Sequence, residues 1–271
     1  MKLFQLLRPA PVVTAVRLSG VITSGRRGLN LEHLAPLLRR AFTTPRVQAV
    51  ALLINSPGGS PVQSDLLARR IRALAAEHKV KVFAFCEDVA ASGGYWLACA
   101  ADEIYALPSS IIGSIGVISA GFGMQGLIER FGVERRVYTA GENKSILDPF
   151  RPEDPTDVAR LQEILDQTHD HFKAYIRDRR GARLKGDPDA LFSGAFWTGA
   201  SALPLGLIDG IGDTRAVLRD RFGDRVQVHL VDDNRNRLLK RLGLDALSPS
   251  HLALNLLSSA EDRALWSRFG L

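Results

Sequence analysis

Two apolar runs, residues 47–54 and 80–86, each stop at a glycine-bearing turn, and that pattern restricts the fold more than any other feature of the chain. Apolar runs of this length suit strands buried on both faces of a sheet. The first ends in Asn55-Ser56-Pro57-Gly58-Gly59, and the second continues through Asp88 to Ala91-Ser92-Gly93-Gly94-Tyr95-Trp96. After the first turn the spacing predicts a helix over 62–77, with Leu66, Leu67, Ile71 and Leu74 on one side. After the second, residues 95–100 read as a short apolar helix. Residues 12–22 alternate as a strand does, and Leu31, Leu34, Leu38 and Phe42 have helical spacing, with Pro36 obscuring where that helix starts. Strands alternating with helices in this way specify an α/β domain with helices packed on a largely parallel sheet.

Beyond a short strand near Ile104, Gly113 and Gly116 punctuate an apolar segment and suggest close backbone approach. A helix over 124–131, a strand over 133–138 and a polar loop at 141–145 follow. The longest helix is expected over 156–180, with Leu161, Leu165, Phe172 and Ile176 as its stripe and Gly181 as its stop. A glycine-rich unit at 196–213, a helix over 214–221 and a strand over 226–231 close a domain that spans 1–231. Residues 232–271 form a tail of different character. It is basic at 234–242, with Leu238, Leu239 and Leu242, apolar at 252–257, and carries Trp266 and Phe269 near its end. This predicts one or two short amphipathic helices, packed on the parent domain or offered to a partner or a membrane surface.

The 271 residues are 46% hydrophobic, enough for a substantial core, and the net charge is +6. That balance gives a mild preference for anionic surfaces. No lysine- or arginine-rich run has the density of a nucleic-acid arm, so specific nucleic-acid binding is not expected. Cys86 and Cys99 lie in apolar runs and read as small buried side chains. Lys2 and Arg8 flank a short apolar patch at 3–7, and no apolar run approaches the ~18 residues of a membrane span. With no secretory apolar region either, the expected location is cytoplasmic, at most peripheral at the inner membrane. Residues 2–8 and 235–241 would then touch anionic lipid.

Ser92 falls at a strand-to-helix turn, beside the free N–H groups of a helix start. It reads either as an N-cap or as a nucleophile whose oxyanion those groups would stabilise. A nucleophilic serine needs a base. The histidines are His33, His78, His169, His171, His229 and His251, and none sits in a glycine-rich turn with polar neighbours. His169 and His171 are two residues apart in a helix and cannot share a face, which argues against a metal pair. A lysine can serve instead when burial disfavours its charged form. Lys144 is the candidate, because Ile146, Leu147, Pro149 and Phe150 could cover it; the plainer reading is a solvated loop lysine.

Four segments in order resemble the S49 serine peptidases of the signal peptide peptidase A type. They are Ile54-Asn55-Ser56-Pro57-Gly58-Gly59-Ser60, Ala91-Ser92-Gly93-Gly94-Tyr95-Trp96, Gly113-Ser114-Ile115-Gly116-Val117-Ile118 and Asn143-Lys144-Ser145-Ile146-Leu147-Asp148-Pro149-Phe150. The unit from Phe196 to Asp209 is similar to the family's next landmark. The resemblance spans about residues 12–231 and implies a crotonase/Clp protease-like fold of repeated β-β-α units. It implies Ser92 as nucleophile, Lys144 as general base and Ser114 as the hydroxyl holding the lysine amine. The N–H groups of Gly93 and of Gly58 or Gly59 match the oxyanion hole. Peptide cleavage through an acyl-enzyme follows, with no metal or cofactor. Short single-copy relatives are rings of identical subunits, which implies Lys144 of one chain reaching Ser92 of its neighbour. Relatives that trim signal peptides are membrane-anchored, and with no anchor in this sequence the expected substrates are unstructured or membrane-derived peptides. Two rival readings are a catalytically weak scaffold at a membrane surface and acyl-CoA chemistry on the same fold, which would not need Lys144.

Overall fold

A computed structural model describes residues 9–25, 28–141, 143–232 and 263–271. In chain order the elements are β1 (Val12–Ser19), α1 (Leu31–Thr43), β2 (Val47–Ser56), α2 (Pro61–His78), β3 (Lys81–Ala91), α3 (Gly93–Ala98), β4 (Glu103–Ala106) and β5 (Ile111–Gly113). There follow α4 (Gln125–Arg130), α5 (Pro155–Arg180), α6 (Pro188–Leu191), β6 (Phe196–Thr198), α7 (Gly199–Ala202), β7 (Gly210–Ile211), α8 (Thr214–Phe222) and β8 (Gln227–Leu230). The strands join in the order β6-β5-β3-β2-β1-β8, with β4 also on β3 and β7 on β4. Among the described strands only the β5–β6 pair is antiparallel. This is the crotonase/Clp-like α/β architecture that the motifs imply.

The period of two along β2 and β3 sorts their side chains between two layers. Leu52, Ile54, Val82 and Ala84 face a core shared with α1, α2, α3 and α5. Ala49, Ala51, Phe83 and Phe85 face the other way and pack with Leu218 of α8. Helix α1 starts at Leu31 because Asn30 caps it, its Oδ1 accepting the His33 N–H at 3.0 Å. Pro36 lies inside the helix on its exposed side, where water can serve the carbonyl left unbonded. Cys86 and Cys99 are buried free thiols.

Two expectations need correction. Residues 133–138 form no strand: no strand among the described residues pairs with them, and Tyr138 is 90% exposed. The apolar stripe of α5 is also only half used. Phe172 and Ile176 are buried, whereas Leu161 and Leu165 lie in a first half that stands clear of the sheet.

Arg180, at the end of α5, locks the glycine-rich unit onto the sheet. Its side chain is 2% exposed and holds Asp209 at 2.8 Å and the Gly206 carbonyl at 2.7 and 2.9 Å. Asp209 in turn accepts the Ile104 N–H at 2.7 Å. Burial pushes the Asp209 carboxyl up, but the Arg180 guanidinium, the Ile104 N–H and Arg183 together hold it below 3.8. Its contribution to stability is therefore complete above about 3.8 and is lost as pH falls through the lower folded-state value. Asp209→Asn leaves a buried cation without its partner and is expected to destabilise the fold by about 3–5 kcal/mol. Urea melts at neutral pH check the magnitude. Melts near pH 3 are expected to show a smaller gap between wild type and variant.

Candidate active site

Strand β3 is longer than the sequence suggests, and its extension builds the site. The register between β2 and β3 shifts after Ile54↔Cys86 to Ser56↔Ala90, so β3 bulges at Glu87 and Asp88. Asn55 pins the bulge: its Nδ2 donates to Asp88 at 2.7 Å and its Oδ1 accepts the Val89 N–H at 3.2 Å. Beyond it, β3 pairs with β5 through Ala91↔Gly113. Ser92 and Ser114 are the next residues on each strand, so they meet at the carboxyl ends of two adjacent parallel strands. Open α/β sheets place their ligand crevices at such ends.

Both serines have a left-handed backbone, each with φ +53°. The Ser92 N–H donates to the Gly113 carbonyl at 2.8 Å, and its carbonyl accepts the Trp96 N–H at 3.0 Å. Ser114 donates to the Ala195 carbonyl at 2.7 Å and accepts from the Gly116 N–H at 3.0 Å. Two hydrogen bonds thus hold each residue in a conformation that L-residues avoid. Ser92 precedes α3, yet its side chain makes no capping bond. The N-cap alternative is therefore not what this hydroxyl does.

Gly58 lies against Ser92. A Cβ added at Gly58 would stand 2.7 Å from the Ser92 Cβ and 2.8 Å from the Gly93 nitrogen. The Gly58 carbonyl accepts the Ile22 N–H at 2.8 Å, and Ser60 donates to the Ile22 carbonyl at 2.7 Å. The Gly58 N–H is engaged by Ser56 Oγ at 3.2 Å. The N–H groups of Gly59 and Gly93 have no acceptor among the described residues. Gly58→Ala, at φ +103°, forces the backbone apart at Ser92. A displacement of about 1 Å at a reacting group costs roughly 100-fold in rate, so kcat is expected to fall by at least that much. Steady-state kinetics with a thermal melt on the same sample separates this from unfolding.

Ser92, Gly93 and Ser114 line one cleft of about 550 Å³, together with Gly59 and Ser60 at the start of α2. Its apolar lining includes Trp96, stacked on Phe172 with ring centroids 4.5 Å apart, and Val117 and Ile118. Gly116 approaches the Gly194 backbone and Gly113 the Trp197 ring, which accounts for both glycines. Lys144 is not in this cleft. It sits in an exposed turn at 143–147, its N–H donating to Gly141 at 3.3 Å, and the apolar neighbours do not bury it. Of the residues singled out from the sequence, the chain therefore brings together Ser92, Ser114, Gly58, Gly59 and Gly93 but not Lys144. His169 contacts the Ile115 carbonyl at 3.0 Å, while His171 lies against Trp96 and 3.8 Å from Asp65. No metal-binding cluster occurs among the described residues. The Asn55–Asp88 clasp has no sequence signal, because it exists only once the bulge sets the register.

The sequence profile of Peptidase family S49 matches residues 75–224, more than half of the chain and all of the Ser92 and Lys144 segments. The chain belongs to peptidase family S49. The S49 chain is 50% identical over 272 residues to a Brucella abortus protein named Na(+)/H(+) antiporter NhaA. That match covers 96% of the S49 chain and 37% of the Brucella protein. It is 32% identical over 203 residues to the chloroplastic serine protease SPPA of Arabidopsis thaliana, covering 72% of this chain and 29% of that one. It thus spans about a third of the length of these relatives. Among solved structures, the 1510-N membrane protease of Pyrococcus horikoshii, specific for a stomatin homolog, superposes with a TM-score of 0.51. The identity there is 14%, over 87% of this chain and all of that one, and shows the shared fold.

Proposed function

We propose that the protein is a serine endopeptidase that cleaves extended, unstructured or membrane-derived peptides through an acyl-enzyme on Ser92. The observation that carries this is Ser92 itself, strained, uncapped and facing a cleft beside two unpaired backbone N–H groups. A scissile carbonyl seated there places its oxygen toward Gly59 and Gly93 N–H as negative charge develops. Those two groups are the oxyanion hole in this reading, with Gly58 making the close approach possible. Lys144 is the base that takes the Ser92 proton and returns it to the leaving amine, and Ser114 orients the amine.

The lysine must arrive from another copy of the chain. The segment that carries it, residues 119–153, leaves Phe122 83% and Phe131 72% exposed. Such surfaces mark an interaction site. A head-to-tail contact that buries them and delivers Lys144 to the neighbour's cleft closes into a ring when the rotation allows. The ring would admit extended chains and exclude folded ones.

Action close to a membrane is consistent with the Brucella relative, in which a region like this one belongs to a chain named as an antiporter. Among the described residues no helix is long and apolar enough to cross a membrane. The stretches expected to touch lipid, at 2–8 and 235–241, and the leucines at 252–257 lie outside the described residues. Incubating the assembled protein with a panel of extended fluorogenic peptides and with folded proteins tests the function. Cleavage of the peptides alone, with a phosphonate inhibitor adduct mapped to Ser92, is the expected result. Cleavage without labelling of Ser92 would sink the assignment.

A further inference from the structure

Residues 263–271 return to the cleft from the far end of the chain. Residues 263–267 form a helical turn, and the segment is held by apolar anchors. Phe269 is buried against Val89 and Ala91, in the last residues of β3 before Ser92, with Trp266 and Ile111 beside it. The Phe269 ring also meets Phe196 edge-on, with centroids 5.3 Å apart. The anchoring turns Leu265 and Arg268 toward the cleft, where they form part of its wall together with Ser92.

Arg268 is the one charged side chain among the described residues that line this cleft. Every other lining residue is uncharged: apolar, hydroxyl-bearing, glycine, or Trp96 with its indole N–H. The Arg268 guanidinium lies over the Phe269 ring at 5.9 Å, and no carboxylate among the described residues pairs with it. Leu271 lines a separate hollow beside Glu87 and Asp88, so the end of the segment leads away from the cleft. An arginine at the wall of a groove that is otherwise free of charge is a ready partner for a carboxylate, which it can bind in a bidentate fork.

We propose that Arg268 is a specificity-determining residue, selecting apolar peptides that carry a carboxylate near the scissile bond. The inference rests on the cleft being the peptide site. The carboxylate comes from an acidic side chain or from the free end of the peptide, and both would meet the same guanidinium. Among the described residues Arg268 makes no hydrogen bond to Ser92, Gly59 or Gly93, so the role assigned to it is in binding and not in the chemical step.

Binding to the Ser92→Ala protein tests this without turnover. Three labelled apolar peptides are compared by fluorescence anisotropy: one with an internal Glu and an amidated end, one with Gln in its place, and the Gln peptide with a free end. The parent protein is expected to bind at least one carboxylate-bearing peptide about 10-fold more tightly than the amidated Gln peptide, and added salt should narrow that ratio. Whichever of the two wins identifies the source. Arg268→Gln is expected to bring the ratio to within about 2-fold, and Arg268→Glu to reverse it, so that the amidated Gln peptide binds more tightly than the Glu peptide. Phe269→Ala, which frees the segment from its anchor, should also erase the preference. A parent protein without preference, or an Arg268→Gln protein that keeps it, overturns the proposal. With Ser92 intact, Arg268→Gln should lower kcat/KM for the carboxylate-bearing peptide towards that for the neutral one, mainly through KM. If preference depends on Arg268 but no peptide is cleaved, the peptidase reading fails while the binding inference stands.

Discussion

Ser92→Ala is expected to lower peptide hydrolysis by on the order of 10⁶-fold while leaving the fold unchanged. The loss is large because in the proposed mechanism the hydroxyl forms the covalent intermediate, and the two N–H groups of Gly59 and Gly93 could not by themselves replace it. The fold is preserved because alanine and serine face the same backbone strain at φ +53°. The bonds that impose that conformation, to Gly113 and from Trp96, are backbone bonds that the substitution keeps. The Ser92 side chain makes no cap, so its removal leaves no helix N–H newly unpaired. The melting temperature should stay within about 2 °C of wild type. Intact-mass measurement during turnover should show an acyl adduct on wild type and none on the variant. Residual hydrolysis within 100-fold of wild type would point to a different nucleophile.

Lys144→Ala is expected to cost nearly as much. Members of one catalytic unit are not additive, so the Ser92→Ala/Lys144→Ala double variant should be no slower than Ser92→Ala alone. Because Lys144 is exposed in its own chain, its replacement should change stability by no more than about 0.5 kcal/mol. Lys144→Arg separates chemistry from charge. Arginine keeps the positive charge but does not give up its proton, so it cannot serve as a base. An inactive Lys144→Arg enzyme supports a proton-transfer role, whereas rescue by arginine would assign Lys144 to substrate attraction or subunit contact.

The Ser92 turn is legible in the sequence because its determinants are local. An apolar strand, a glycine pair and a helix start lie in consecutive residues, and Gly58, Gly113 and Gly116 are all sites of close approach. What the sequence hides depends on partners distant along the chain. The Asn55–Asp88 clasp needs the register of two strands, and Arg180 finds Asp209 only after α5 has docked. Arg268 reaches the cleft from the end of a tail whose composition says nothing of where it docks. Residues 133–138 mislead because Val133, Val137 and Tyr138 are residue types that favour strands, yet strand formation needs a neighbour to pair with. For Lys144 the sequence suggests burial by the apolar residues that follow it. Within one chain those residues leave it in solvent, and the same turn belongs to a segment whose other apolar side chains are also uncovered.

Mixing inactive subunits tests most directly whether the site is completed across a boundary between copies. Ser92→Ala chains retain Lys144, and Lys144→Ala chains retain Ser92. Random co-assembly in equal amounts places an intact Ser92 beside a neighbour's intact Lys144 at about one interface in four. The mixture is expected to recover about a quarter of wild-type activity, and dilution below the assembly concentration should abolish it. Native mass measurement establishes that the two variants share rings. If they co-assemble and no activity returns, Ser92 and Lys144 do not act across the subunit boundary and the account is wrong.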